Sequence, residues 1–222
     1  MLLETTHGTI AYDERGSGNS VVMLSSGAHD RHDFDALPGL LPDDFRSIAA
    51  ARLAIRRPEL VRGLVLIDSG GFLPRSPQVR IFCSLMARPR FLRAIYPWFA
   101  NRYMRPQSEA DLRVRDVGIA TTRQDPGLAA VSGLWRSFSS PEHDLRKEAA
   151  SIQAPTLIVW GKKDPVIPLR AGRTIAATIP GARLELLDTG HAPQVSDPDG
   201  FAALFVPFAE RIFGAETSKR PA

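Results

Sequence analysis

The hydrophobic positions in the last third of the chain predict alternating strands and helices. Residues 156–160 are a short apolar run that Gly161 closes, which is typical of a strand buried on both faces of a parallel sheet. Residues 171–179 carry apolar side chains at helical spacing and end at a Pro-Gly pair. Arg183–Leu187 is predicted to be a second strand. The pattern therefore predicts a strand, a helix and another strand in one parallel sheet.

Two residues with acid–base chemistry follow these two strands. Asp164 lies in the loop after the first strand, and His191 lies in the loop after the second. Because both loops leave the same carboxyl edge of a parallel sheet, we expect the carboxylate and the imidazole to meet there. A carboxylate that orients a histidine forms two thirds of a nucleophile–base–acid triad.

The first 71 residues show the same alternation with shorter elements. The turn-forming pair His7 and Gly8 between two short apolar runs indicates a β-hairpin. The predicted strands are residues 2–6, 9–13, 20–24, 45–50 and 61–68, and the predicted helices are 34–41 and 51–57. A last apolar-periodic helix is predicted over 199–213.

Residues 72–152 depart from this alternation. Four aromatic-rich helical pieces are predicted there, at 82–86, 91–104, 109–122 and 128–138, with several prolines between and within them. We expect Trp98, Phe99, Tyr103, Trp135 and Phe138 to line a pocket or to pack the core of this segment.

The two loops resemble those of a known family. Gly-Lys-Lys-Asp-Pro-Val-Ile-Pro, ending at Pro168, and Gly-His-Ala-Pro, ending at Pro193, resemble the acid and histidine loops of α/β-hydrolase-fold enzymes. The resemblance implies an α/β fold: a mostly parallel sheet with flanking helices, formed by residues 1–71 and 153–222, and a helical cap at 72–152. It also implies that His191 is the general base, oriented by Asp164. Capped members of this kind include esterases, epoxide hydrolases and carbon–carbon bond hydrolases, so we expect a small apolar or aromatic substrate.

One part of the family pattern is missing. Between residues 50 and 51 the family places a crossover helix, a central strand and the Gly-x-Ser-x-Gly nucleophile elbow, and the sequence has no such motif and no Asp or Cys variant of it. A βαβ unit takes roughly 30 residues, so the fold is expected to be shortened by about one βα unit. We hypothesise that residues 45–50 fill the vacated position in the sheet.

Other residues are candidates for the lost functions. Ser26, Gly27 and Ala28 occupy the place of the family's oxyanion loop. Asp68 is a reserve acid, and Ser69, with Ser25 and Ser26, is a reserve nucleophile. The chain is thus expected to be a hydrolase by descent that is inactive or impaired, or alternatively a non-catalytic protein that binds a small molecule or another protein.

Composition adds limits to this interpretation. The 222 residues suit one domain with an inserted subdomain, and 44% hydrophobic content is ordinary for a globular protein. The net charge of +4 shows no stripe typical of nucleic-acid binding. No run is long enough to span a membrane. We therefore expect neither a nucleic-acid nor a membrane partner, and a homo-oligomer stays open.

Cysteine and histidine positions suggest no further site. Cys83 is the single cysteine, which rules out an intrachain disulfide, fits a reducing compartment and favours a cytoplasmic location. His29 and His32 lie beside aspartates, but the sequence offers no second pair of His or Cys ligands to complete a metal site with them. No metal and no cofactor is therefore expected.

Overall fold

The computed structural model describes residues 2–5, 8–11, 47–72, 74 and 76–217. The first elements are the strands β1 (Leu2–Thr5) and β2 (Gly8–Ala11), which pair antiparallel with Leu3 opposite Ile10. The hairpin prediction is confirmed, but Gly8 begins the second strand opposite Thr5 and does not lie in the turn.

In the described part of the chain, three parallel strands form the sheet that carries the two loops. They are β3 (Leu64–Ile67), β4 (Thr156–Gly161) and β5 (Arg183–Leu187), in the order β3-β4-β5. Every residue of β4 is buried, as the apolar run predicts. The alignment of β4 with β5 brings Gly161 opposite Leu187, so the loops that follow these two strands leave the sheet side by side.

Alternate residues of the sheet pack against helices on opposite faces. On one face, Ile158 and Trp160 pack with α1 (Ser47–Arg56) and α6 (Leu169–Thr178). On the other face, Leu157 and Val159 pack with α8 (Pro198–Thr217). Each fully buried apolar side chain of this kind contributes about 1.5–3 kcal/mol, so the helices hold β4 firmly.

One predicted element is wrong. Residues 45–50 were expected to be a strand, but Ser47–Arg56 is a single helix that begins inside that range. Three consecutive alanines favour a helix, and the fully buried Ala51 and Ala54 pack it against the sheet. A short apolar run does not by itself distinguish a strand from a buried helix. The hypothesis that residues 45–50 fill a position in the sheet is wrong as well.

Four helices between β3 and β4 form the segment that we call the four-helix segment. They are α2 (Pro77–Met86), α3 (Pro89–Met104), α4 (Glu109–Arg123) and α5 (Asp125–Phe138). Prolines that suggest breaks in the sequence begin helices here, at the first positions of α2 and α3, where a missing N–H costs nothing. The Leu145 N–H donates to the Gly71 carbonyl at 2.8 Å, so the segment's two ends meet beside the sheet.

Candidate active site

The loop after β4 fixes both oxygens of Asp164. Its Oδ1 accepts from the backbone N–H groups of Val166 at 2.7 Å and Ile167 at 3.0 Å. Its Oδ2 lies 2.6 Å from Nδ1 of His191, and the Asp164 side chain is fully buried. Three charge-assisted contacts therefore hold this carboxylate in one orientation.

The same contact orients His191. Nδ1 faces a carboxylate, which accepts hydrogen bonds, so Nδ1 carries the proton in the neutral ring. The other nitrogen, Nε2, is left as an acceptor, which is the state that a general base requires. The His191 side chain is 12% exposed, so it is close to solvent but mostly enclosed. The expected meeting of Asp164 and His191 is what the structure shows.

Two glycines allow the acid and histidine loops to touch. A Cβ on Gly161 would lie 1.9 Å from the Gly190 carbonyl oxygen, and a Cβ on Gly190 would lie 2.4 Å from the Met104 carbonyl oxygen. Neither contact is sterically allowed, so only glycine fits at these positions. Gly161 allows the acid loop to approach the histidine loop closely, and Gly190 allows the histidine loop to approach the end of α3 closely.

Asp68, the reserve acid, lies at the end of β3 beside this pair. Its Oδ1 accepts from the Gly161 N–H at 2.9 Å, and within the described part of the chain its buried Oδ2 has no partner. Burial first, and the negative charge of Asp164 second, raise the pKa of Asp68 well above its ordinary value. Asp68 also has a φ of 39°, a left-handed conformation that aspartate tolerates. In this arrangement the partner of His191 is Asp164.

The three side chains are also close enough to be considered as metal ligands. One ligand atom from each of Asp68, Asp164 and His191 lies within 4.8 Å of the others. However, Asp164 Oδ2 and His191 Nδ1 are already hydrogen-bonded to each other. A metal ion would have to break that bond, so the arrangement is typical of an acid–histidine pair.

The reserve nucleophiles are not placed for attack where the structure describes them. Ser69 is 1% exposed, and its hydroxyl donates to the Ile67 carbonyl at 3.3 Å. It follows a strand end and not a strand-to-helix elbow, since the next helix begins at Pro77. Ser25, Ser26, Gly27 and Ala28 lie outside the described residues, as do His29 and His32.

A row of aromatic rings leads from the four-helix segment to the imidazole. Tyr103 lies over His191 with 4.4 Å between ring centroids, and Phe99 stacks on Tyr103 at 5.5 Å. Trp135 contacts Phe99 at 5.6 Å, and Phe82 contacts Trp135 at 5.4 Å. We call these four rings the aromatic row. Phe138 extends the contacts from Trp135, whereas Trp98 is 63% exposed and takes no part.

Asp111 is a site-supporting residue that the sequence analysis missed. It is fully buried, and its Oδ1 accepts from the Ser196 hydroxyl at 2.6 Å. Its Oδ2 caps the start of α4 by accepting from the N–H groups of Gln107 and Ser108. Ser196 ends the short helix α7 (Pro193–Ser196), which directly follows the histidine loop. The Ser-x-x-Asp pattern is a signal for the helix start but not for this tertiary contact.

Comparison with known proteins now identifies the family. The family model described as the alpha/beta hydrolase family matches residues 4–204. The chain belongs to the α/β-hydrolase family, and its parallel sheet with helices on both faces is an α/β-hydrolase fold.

Several relatives are similar over most of the chain. A Klebsiella pneumoniae (strain 342) protein provisionally named carbamate hydrolase RutD is 30% identical over 90% of this chain and 80% of its own length. The pimeloyl-[acyl-carrier protein] methyl ester esterase of Neisseria meningitidis (strain FAM18) is 28% identical over 74% of this chain and 66% of its own length. The Klebsiella alignment spans 226 positions but takes in about 200 of the 222 residues, so about 26 positions have no residue of this chain.

Solved structures agree with the fold. A hydrolase from Pseudomonas aeruginosa superposes with a TM-score of 0.75 at 21% identity over 94% of this chain and 97% of the other. The enol-lactonase of Burkholderia xenovorans gives a TM-score of 0.76 at 18% identity over 94% of this chain and 99% of the other. In the part of the chain that the structure describes, no helix has the length and apolar character needed to cross a membrane.

Proposed function

We propose that this protein has the acid–base pair and the apolar pocket of an ester-type hydrolase but hydrolyses such bonds poorly, because the nucleophile segment is absent. The observation that carries the first part is the 2.6 Å contact between Asp164 and His191 at the ends of neighbouring parallel strands. The second part is supported by the lack of any Gly-x-Ser-x-Gly motif and by the unmatched positions in the Klebsiella alignment. These unmatched positions number about 26, which is comparable to the length of a βα unit of roughly 30 residues.

His191 is proposed to act as a general base. Its Nε2 would accept a proton from a hydroxyl group while Asp164 stabilises the imidazolium that forms. In this chain the hydroxyl that remains is that of a water molecule. Water is not positioned by a covalent anchor, so the advantage of a fixed attacking atom is lost.

The missing segment removes two contributions to the same step. The elbow carries the nucleophile, and the backbone N–H after it supplies half of the oxyanion hole. Removing the nucleophile of a serine protease alone lowers turnover by about 10⁶. We therefore expect hydrolysis far below the level of relatives with an intact elbow, with Ser26, Gly27 and Ala28 as the remaining oxyanion candidates.

The substrate class follows from the pocket wall and from the names of the relatives. Those names refer to a carbamate and to a methyl ester, which share a carbonyl group bonded to a leaving oxygen or nitrogen. The aromatic row beside His191 favours an apolar or aromatic group next to that carbonyl. We propose that residues 72–152 form the cap over this pocket and that residues 1–71 and 153–222 form the core.

A second candidate function is binding without catalysis. The observation that favours it is the direct contact of Tyr103 with His191, which keeps an apolar wall beside an imidazole even without a nucleophile. A small aromatic or aliphatic carboxylate would fit both features. Isothermal titration with phenylacetate and octanoate tests this function. Tyr103→Ala should lower the affinity at least tenfold, and Trp98→Ala, which changes an exposed ring outside the aromatic row, should not.

Hydrolysis of p-nitrophenyl esters of increasing acyl length tests the first proposal. The matched control for His191→Ala is His143→Gln, since His143 is another partly enclosed imidazole. Burial and the nearby positive charge of Arg52 lower the pKa of His143 to about 4. We expect the folded protein to be slow, His191→Ala to lower this slow rate further, and His143→Gln to leave it unchanged. Rapid hydrolysis that His191→Ala abolishes and His143→Gln preserves would contradict the proposal and direct the search to Ser69, Ser25 and Ser26.

A further inference from the structure

The positive charge of this chain is concentrated in one stretch. Residues 69–108 contain seven arginines and no aspartate or glutamate. The remaining residues hold 21 of the 28 basic side chains and all 24 acidic ones, so their formal charge is −3. The whole positive excess therefore lies in the stretch that forms α2 and α3 of the four-helix segment.

Helix α3 presents two faces of different character within this stretch. Leu92, Phe99 and Tyr103 are buried on its inner face. Phe91 and Trp98, seven residues apart, lie about 100° further around the helix and are 39% and 63% exposed. Arg102 follows Trp98 one turn later on the same side and is exposed. Two large rings on the outward face of a helix are unusual without a partner.

Helix α2, which packs against α3, adds further apolar side chains. Val79 is 39% exposed and Ile81 is 62% exposed. Together with Phe82, Phe91 and Trp98 they make five of the nine large hydrophobic side chains that are exposed in the described residues. We call the exposed side chains of α2 and α3 the outer face.

Most arginines in and beside the outer face have no acidic partner among the described residues. Arg93 pairs with Asp125 of α5. Within the described ranges, Arg80, Arg88, Arg90 and Arg102 form no ion pair. An exposed face that combines unpaired arginines with Trp, Phe and Ile side chains requires an occupant with negative charge and an apolar interior.

We propose that the outer face docks on the surface of anionic phospholipid membranes. Arginine side chains would pair with lipid phosphates, while Trp98, Phe91 and Ile81 enter the boundary between headgroups and acyl chains. A second copy of the chain is a poor occupant, since two copies of the same positively charged face repel each other. Nucleic acid would leave Ile81 and Val79 without an apolar environment.

This proposal departs from the expectation of no membrane partner, which rested on the lack of a membrane-spanning run, because surface docking needs no such run. The proposal does not depend on the proposed function, because all the side chains of the outer face except Phe82 lie outside the aromatic row. Docking would, however, place the exposed Phe82, the outermost ring of that row, close to an apolar phase.

Co-sedimentation of the full chain with vesicles tests the proposal. Vesicles of phosphatidylcholine with and without 30% phosphatidylglycerol are compared, at about 0.1 M and about 1 M salt, where the Debye length falls from about 10 to about 3 Å. We expect binding to the anionic vesicles at low salt. Arg90→Gln and Arg102→Gln should each weaken it about fivefold, as expected for one arginine near an anionic surface. Trp98→Ala should weaken it further.

Matched controls come from exposed residues elsewhere in the chain. Leu60 is 58% exposed and Arg173 is exposed on α6, so Leu60→Ala and Arg173→Gln make similar changes outside the outer face. Both should leave binding unchanged. No binding, equal binding to uncharged vesicles, or equal losses from the control variants would overturn the proposal. Analytical ultracentrifugation gives a further test. A wild-type dimer that becomes a monomer in the Trp98→Ala variant would assign the outer face to a second copy and overturn the proposal as well.

Discussion

The loops after β4 and β3 each place one aspartate near the same imidazole, but they treat the two carboxyl groups differently. Asp164 receives two backbone N–H groups and the histidine N–H, so both of its oxygens are satisfied. Asp68 receives one N–H, from Gly161, and its second oxygen is buried without a partner in the described part of the structure. The first environment stabilises a carboxylate, and the second stabilises a neutral carboxylic acid.

This difference explains how one site holds two acids. Two negative charges so close together in a buried place repel each other, so one of them binds a proton. Burial, and then the charge of Asp164, raise the pKa of Asp68, while the two N–H donors of the Asp164 loop stabilise the Asp164 carboxylate. The loop after β4 thus holds an aspartate that pairs with the histidine, whereas the loop after β3 holds a buried aspartate that packs beside this pair. Four substitutions test this comparison.

The largest effect is expected from Gly161→Ala. The added Cβ would lie 1.9 Å from the Gly190 carbonyl oxygen, which separates the acid and histidine loops. We expect a loss of stability of about 3 kcal/mol or more, at the upper end of overpacking effects, measured by urea unfolding. Gly133→Ala is the control, because a Cβ at Gly133 meets no atom within 4 Å and should be neutral or stabilising. Equal stability of the two variants would contradict the close contact of the loops.

Asp164→Ala should have the next largest effect. It leaves the N–H groups of Val166 and Ile167 and the His191 ring without their acceptor. We expect a loss of about 2–3 kcal/mol in urea unfolding, since each buried unsatisfied donor costs about 1–3 kcal/mol. The downfield Nδ1 proton signal of His191 should also disappear from the NMR spectrum. A signal that survives in Asp164→Ala but is lost in Asp68→Asn would show that Asp68 is the partner of His191.

Asp68→Asn should stabilise the protein at neutral pH and not in acid. Because the folded-state pKa of Asp68 is raised, its contribution to stability is present at pH values below the ordinary pKa near 3.9 and is lost as the pH rises through the folded-state pKa. Asparagine keeps the oxygen that accepts from Gly161 and carries no charge. We expect a gain of about 1–2 kcal/mol at pH 8 and none at pH 3.5, by urea unfolding at both pH values. A loss at pH 8 would mean that Asp68 is ionised and stabilising.

Ser69→Ala should have the smallest effect. The hydroxyl makes a single long hydrogen bond to the carbonyl of its own strand, at 3.3 Å from the Ile67 oxygen. We expect a change in the free energy of unfolding within about 1 kcal/mol and no change in ester hydrolysis. A drop in hydrolysis equal to that of His191→Ala would instead identify Ser69 as a nucleophile.

The site could be predicted from the sequence where its acidic and basic side chains lie in loops a few residues after a strand. Asp164 and His191 lie in the loops that follow two predicted strands, and the geometry of a parallel sheet brings such positions together. Residues 45–50 were not predictable, since a six-residue stretch with four apolar side chains fits a strand and the first turn of a packed helix equally well. The contacts of Asp111 with Ser196 and of Asp68 with Gly161 join residues 85 and 93 positions apart, so they depend on packing that no local pattern encodes.

Intact-mass spectrometry after incubation with a fluorophosphonate tests the central claim most directly. The reagent forms a stable adduct with a serine that a histidine activates, and His191→Ala is the control. We predict no adduct above the level of His191→Ala, because the proposed function gives this chain the acid and the base without the nucleophile. A stoichiometric adduct that requires His191, mapped by peptide sequencing to Ser25, Ser26 or Ser69, would contradict it.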